Sequence, residues 1–289
     1  MQDPDWLAAQ FEENRGHLRG VAYRMLGSLS EADDAVQEAW LKVGRAGADG
    51  VANLRGWLTT ILARVCLDML RSRHSRREEP QDEHAAEPAA NQAGALDPER
   101  EALLAESVGL ALLVVLDKLE PAERLAFVLH DMFAVPFDEI APIVGRTEMA
   151  ARQLASRARR RLHGEAAPEP GRTGQRRVVD AFLSALRRRD FEGLLAVLDP
   201  EVLVRAESAE GIREIRGARN WARGAAAFAQ NARFMQIALV DGSVGIILAP
   251  GGHLQRAVRF TIVDERIVEA EVIGRPERLR SLHLALLED

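Results

Sequence analysis

Cysteine is almost absent from this sequence: Cys66 is the only one in 289 residues. One thiol closes no internal disulfide and builds no multi-cysteine zinc site, and such a chain fits the cytoplasm. Lysine is nearly missing too, with Lys42 and Lys118 the only two, so almost all positive charge is arginine. Aromatic residues make up 5% of the chain, with Tyr23 the single tyrosine. No apolar run approaches the ~20 residues of a membrane-spanning helix, so no membrane partner is expected. The first stretch, "MQDPDWLAAQFEENRG", carries early acids and lacks the apolar core of a signal peptide.

What is present is enough for packed cores. Hydrophobic residues reach 47%, and the length suggests two or three domains. The net charge of −6, taken whole, argues against a nucleic-acid partner. Its distribution in blocks points the other way. Residues 5–77 read as helices. In "WLAAQFEENRGHLRGVAYRML", Leu7, Phe11, Leu18, Val21, Ala22 and Met25 follow the helical period. Ser30 is the expected N-cap of "EADDAVQEAWLKV". In the next helix Trp57, Ile61, Val65, Leu67 and Leu70 form the expected core face. Residues 78–101 hold three prolines and a strong acidic excess, and read as a tether without a core. Residues 102–163 are helical again, with Pro121 suited to a first helical turn. A second linker, 164–174, is rich in proline and glycine. From 175 to 289, two helices precede five strand-like runs with turn signals such as Asp241-Gly242 and Gly251-Gly252. A further helix, "ARNWARGAAAFAQNA", lies between the strands, which gives an α+β plan.

The stretch "FDEIAPIVGRTEMAARQLASRARRRL" (137–162) reads as two short helices. Gly145 allows a left-handed turn between them, and Thr147 suits the N-cap of the second. Ala150, Leu154, Ala158 and Leu162 form the expected inward stripe, with Glu148, Arg152, Ser156 and Arg159 opposite. A helix-turn-helix that reads the major groove has this form. Arg152 is early enough to reach base edges, whereas Arg157, Arg159, Arg160 and Arg161 suit phosphates. Pro142 counts against the first helix unless Asp138 caps it. A charged face on an ordinary surface hairpin shows the same pattern.

The order of segments adds to this. "LRGVAYRMLGSLSEADDAVQEAWLKV" followed by "NLRGWLTTILARVCLDMLRSR" resembles region 2 of bacterial sigma factors of the extracytoplasmic-function group, within the sigma-70 family. "LDKLEPAERLAFVLHDMFAVPFDEIAPIVGRTEMAARQLASRARRRL" resembles their region 4. Together the two matches cover most of residues 10–163. The resemblance implies binding to core RNA polymerase, through the clamp helices of its largest subunit, and to promoter DNA. Asp33, Asp34, Gln37 and Glu38 map to the polymerase-docking helix. Asn53, Arg55, Arg64, Arg71 and Arg73 map to the segment that opens the −10 element, where an extruded base needs a pocket and a single strand needs positive charge. Thr147, Glu148, Arg152, Ser156, Arg157, Arg159 and Arg160 map to the −35 reader. The acidic tether suits a path through polymerase that otherwise holds RNA.

The tail looks like a SnoaL-like domain of the cone-shaped NTF2 superfamily, which adjusts the activity of some sigma factors of this group. "RPERL" (Arg275, Pro276, Glu277, Arg278, Leu279) resembles an Asn-Pro-Asp-Lys-Leu motif of that domain. The tether lacks the Trp-Leu-Pro-Glu-Pro motif, and "ESAEG" (207–211) is the nearest stretch to a glycine-rich Asp-Gly-Gly-Gly motif. Asp241 and Asp264 look like turn residues and His253 like a solvated one, so no catalytic residue is expected, nor any metal or cofactor. The expectation is a multidomain chain: two all-α domains, then an α+β NTF2-like cone. Its tail is expected to contact the helical body and set its arrangement. The rival reading is a one-component DNA-binding regulator with a ligand-binding or enzymatic NTF2-like domain.

Overall fold

The computed structural model describes residues 4–48, 50–78, 109–164, 171–208 and 211–287. The tether expected at 78–101 lies outside them apart from Glu78. Two compact units emerge: residues 1–103 with 116–159, and residues 104–115 with 160–289.

The first unit begins with α1 (Pro4–Leu26), α2 (Leu29–Ala46) and α3 (Leu54–Glu78), packed on one another. Helix α1 buries all six apolar positions read from its period. Gly27, at φ +83°, ends it and turns the chain. Ser28 is then extended, and its hydroxyl accepts the Glu31 N–H as the N-cap of α2. The cap is therefore Ser28 and not Ser30. Leu29 decides this: it is 2% exposed, and it reaches the core from the first helical turn. The face of α3 also differs from expectation. Leu58, Leu62, Val65, Cys66, Leu67 and Leu70 are buried, while Trp57 and Ile61 are half-buried. Helix α3 packs on α1 and α2 and also on the later helices Pro121–Phe127 and Phe137–Val144, so its apolar arc is too broad for one stripe to fix its phase. Burial pushes the Cys66 thiol up to about 12, which keeps it protonated and unreactive.

Next come α4 (Leu110–Asp117), α5 (Pro121–Phe127), a π-turn (Val128–Met132), α6 (Phe137–Val144) and α7 (Glu148–His163). Pro121 takes the first position of α5. Helix α6 is capped by Pro136 and not by Asp138, so Pro142 lies well inside it. The tolerance has a simple origin. Pro142 removes the N–H that would reach the Asp138 carbonyl, and both residues are exposed, so water can take that carbonyl.

The second unit opens with α8 (Arg172–Arg188) and α9 (Phe191–Val197). Residues 172–174, read as linker, are helical. A seven-stranded sheet follows: β1 (Leu198–Ser208), β2 (Gly211–Arg216), β3 (Met235–Val240), β4 (Ser243–Leu248), β5 (Arg256–Val263), β6 (Arg266–Ile273) and β7 (Leu284–Ala285). The order is β2-β1-β6-β5-β4-β3-β7. Among the described residues only β1 and β6 pair in parallel. Helix α10 (Ala218–Ala227) joins α8 and α9 against the sheet, and α11 (Pro276–Ser281) precedes β7. Between helices and sheet, Phe182 stacks on Trp221 at 5.1 Å and meets Phe260 at 5.6 Å. An aromatic cluster thus fills the inner face. Elsewhere in this unit, the Ala111 N–H donates to Gln236 Oε1 at 2.8 Å, and the Leu286 N–H to the Leu162 carbonyl at 2.7 Å. Asp241 and Asp264 have φ of +49° and +47° at hairpin turns, as their sequence contexts suggest.

Gly245 on β4 permits the close pairing of β4 with β5. A Cβ there would lie 2.4 Å from the Val258 carbonyl oxygen. Gly245→Ala should therefore push two central strands apart. We expect a loss of about 1–3 kcal/mol in urea unfolding of the second unit, followed by Trp221 fluorescence.

Candidate nucleic-acid interface

The turn between α6 and α7 is the candidate reading end of the first unit. Gly145 adopts the left-handed conformation (φ 68°, ψ 40°). Thr147 Oγ1 accepts the Ala150 N–H at 3.3 Å, so its hydroxyl caps α7. The buried stripe of α7 is Ala151, Leu154, Ala155, Ala158 and Leu162, and Ala150 is only half-buried. Opposite it, Met149, Arg152, Gln153, Ser156, Arg157 and Arg160 are exposed. Arg152 pairs with Glu148 at 2.5 Å and lies 4.9 Å over the Phe137 ring. Arg157 pairs with Glu123 at 3.2 Å, and Arg159 with Asp131 of the π-turn at 2.7 Å. Met149 and Gln153 carry no charge and so lack the signal that marks the arginines in the sequence; the helical period places them beside Arg152.

On α2, Asp34, Gln37 and Glu38 form an exposed arc that continues to Leu41, itself 48% exposed. Asp33 is turned aside and binds Arg19 at 2.6 Å. Around α3, Asn53 Oδ1 accepts the Gly56 N–H at 3.0 Å and caps the helix. Arg55 reaches His17 Nδ1 at 2.9 Å. Burial, with Arg55 alongside, holds His17 below its ordinary range, which favours the neutral ring that accepts this bond. Arg64 and Arg71 are exposed. Arg73 is not: it bonds Glu31 at 2.5 Å and the Leu26 carbonyl at 3.2 Å, with Asp117 at 3.9 Å.

Arg73 belongs to a buried cluster that sequence reasoning missed. Its centre is Arg124 of α5, whose side chain is 2% exposed. The Arg124 guanidinium donates to the Arg24 carbonyl at 3.2 and 3.3 Å and to Asp117 at 3.4 Å. Burial pulls its pKa down to about 10 against the support of Asp117, so the group stays charged at neutral pH. Helices α1, α3, α4 and α5 are thus tied at one buried charge.

In the second unit, the "RPERL" and "ESAEG" stretches meet. Arg275 precedes α11, Pro276 and Glu277 form its first turn, and Leu279 is buried. Glu207 is 4% exposed and accepts the Gly274 and Arg275 N–H groups at 3.2 and 3.3 Å. Arg278 bridges Glu207 and Glu271, at 2.8 Å to each. Arg259 extends the chain from Glu271 to Asp241, which accepts the His283 N–H at 2.9 Å. The remainder of "ESAEG", residues 209–210, lies outside the described residues.

Residues 10–76 match the Sigma-70 region 2 family, and residues 109–162 match Sigma-70, region 4. The ECF RNA polymerase sigma factor SigJ of Mycobacterium tuberculosis is 37% identical, over 89% of this chain and 87% of its own length. The chain belongs to the ECF sigma factors. The probable ECF sigma factor SigI of M. tuberculosis is 32% identical over 99% of both chains. A crystal structure of M. tuberculosis SigJ covers 94% of this chain and 97% of its own, at 32% identity and a TM-score of 0.45. As an ECF sigma factor, this chain binds core RNA polymerase and recognises promoter DNA. Its fold class is the expected one, two helical regions and a C-terminal α+β domain. No described helix is long and apolar enough to cross a membrane.

The Glu207 site is expected to lose its stabilising contribution in acid. Burial pushes its carboxyl up, but Arg278 and two backbone N–H groups pull it further down, leaving it below 4.5. A carboxylate depressed on folding stabilises the native state above its unfolded pKa, and that contribution vanishes as pH falls through the folded value. Glu207→Gln should therefore cost about 1.5–3 kcal/mol at pH 7, the worth of charged hydrogen bonds. The gap between the two proteins in urea unfolding should close below pH 4.5, the ordinary glutamate value.

Proposed function

We propose that the two DNA-contacting ends of this sigma factor are the arginines of α3 and the exposed face of α7, with the Asp34–Gln37–Glu38 arc of α2 docking on the clamp helices of polymerase. The observation that carries this reading is the clustering of these side chains on solvent faces of helices whose opposite faces are buried. Arg55, Arg64 and Arg71 suit the backbone of a melted strand, and Asn53 lies at the head of the same helix. Asp33 and Arg73 contribute as structural pairs with Arg19 and Glu31. On α7, Arg152 reads bases while Arg157, Arg159 and Arg160 hold phosphates, with Glu123 and Asp131 ceding their arginines to DNA. The protein works in the cytoplasm, with polymerase and the chromosome.

The first unit as it stands is a resting form. Elements centred ~25 base pairs apart lie about 85 Å apart along B-DNA. Helices joined at the Arg124 cluster cannot span that distance, so polymerase engagement separates them. The domain at 175–289 regulates this step and does so without catalysis. Its inner face holds an aromatic cluster, and Glu207, its buried acid among the described residues, is held ionised and already paired. A general acid near neutral pH needs the opposite shift.

Run-off transcription with purified core polymerase and genomic promoter fragments tests the whole reading. The full chain should direct specific initiation; transcripts no different from core enzyme alone would defeat it. Asp117→Arg tests the resting form, because it sets a third cation beside Arg73 and Arg124. It should open the unit, raising the radius of gyration in solution scattering and tightening core binding. Each ~1.4 kcal/mol removed from the closed state is worth about tenfold.

A further inference from the structure

We propose that Met149 and Gln153 are specificity-determining residues of the −35 reader, Met149 for a thymine methyl group and Gln153 for an adenine. The inference rests on the assignment of α7 to the −35 element.

Met149 is 71% exposed, the most exposed large apolar side chain among the described residues. It lies in the first turn of α7, where a reading helix meets base edges. Every other exposed residue of this face is polar: Arg152, Gln153, Ser156, Arg157 and Arg160. Arg160 follows Met149 by three full turns and so shares its side of the helix. A thioether in that company has an apolar partner to find on a surface otherwise built for phosphate and base edges. The major groove offers one apolar group, the thymine C5-methyl.

Gln153 follows Met149 by one turn, and the two are neighbours on the surface. Among the described residues its carboxamide has no hydrogen-bond partner, whereas Arg152 beside it is held by Glu148 and Phe137. A carboxamide offers one donor and one acceptor side by side, which matches N7 and N6 of adenine. The two residues are about 6 Å apart along the helix axis, less than two base-pair steps of about 3.4 Å. The thymine and the adenine should therefore lie within two steps of each other.

The test uses holoenzyme formed from the full chain and a promoter identified by run-off transcription. A scrambled −35 element comes first; if it leaves binding unchanged, the assignment of α7 itself fails. Each −35 thymine is then replaced by deoxyuridine, which lacks only the methyl group, and each adenine by 7-deazaadenine, which lacks N7. For the wild type, one uracil position should weaken binding about fourfold, the worth of one buried methyl. Met149→Ala should bind thymine and uracil there equally well. One 7-deazaadenine position within two steps should weaken the wild type about fivefold, as for one hydrogen bond, and leave Gln153→Ala unaffected. Wild-type indifference to every uracil overturns the Met149 role, as does an equal uracil penalty in Met149→Ala. A Met149→Ala defect confined to assembly with core polymerase would place this methionine on protein instead and also overturn it. The same comparison with 7-deazaadenine decides Gln153.

Discussion

A guanidinium sealed from water constrains much of the first unit. Arg124 cannot shed its proton at neutral pH, and a buried cation without partners is prohibitively costly. The Arg24 carbonyl and Asp117 must therefore be where they are. Through Asp117 the constraint passes to Arg73, and through Arg73 to Glu31 and the end of α1. The helices of both sigma regions share this arrangement, so it holds only while they remain together. Such a cluster gives a closed form its definition without great stability. Separation returns the charges to water, which repays much of what their contacts are worth. A binding partner with modest differential affinity can then shift the balance.

The arginines of α7 follow a related logic on the surface. Arg152, Arg157 and Arg159 each rest on a carboxylate, from Glu148, Glu123 and Asp131. The Arg152–Glu148 pair, exposed on both sides, contributes little to stability, whereas Arg157 reaches a Glu123 carboxylate that is buried. The pairs do hold long side chains in one orientation and lower the net charge of the face. The acids thus act as built-in counterions along this face.

Local signals were the ones legible in the sequence. Gly145 and Thr147 lie where their φ preference and capping chemistry put them, because both depend on a few neighbouring residues. The apolar period of α1 was readable for the same reason. Errors arose where tertiary packing chose between near-equal local options. Ser28 displaced Ser30 because Leu29 had to be buried, and Ala151 displaced Ala150 by a single step of phase. Strands β2 and β7 escaped notice because one is a charged edge strand and the other has only two residues. The Arg124 cluster left no trace at all. Its partners are up to 100 residues apart, and a buried arginine looks like any other in a list of letters. The meeting of Glu207 with the "RPERL" turn was hidden for the same reason.

Asn53 shows how a small structural duty shapes what a side chain can offer. Its carbonyl oxygen is occupied by the Gly56 N–H, and its amide nitrogen lies over Gly56 where any Cβ would come within 2.5 Å. The cap therefore fixes the orientation of the carboxamide, with one lone pair of its oxygen engaged. A nucleobase that offers a carbonyl or ring nitrogen could be taken without disturbing α3. A contact that rotated the carboxamide away from Gly56 would strip the cap and fray the first turn, at about 1 kcal/mol. The glycine at position 56, which has no side chain of its own, thus fixes how Asn53 presents its carboxamide one turn away.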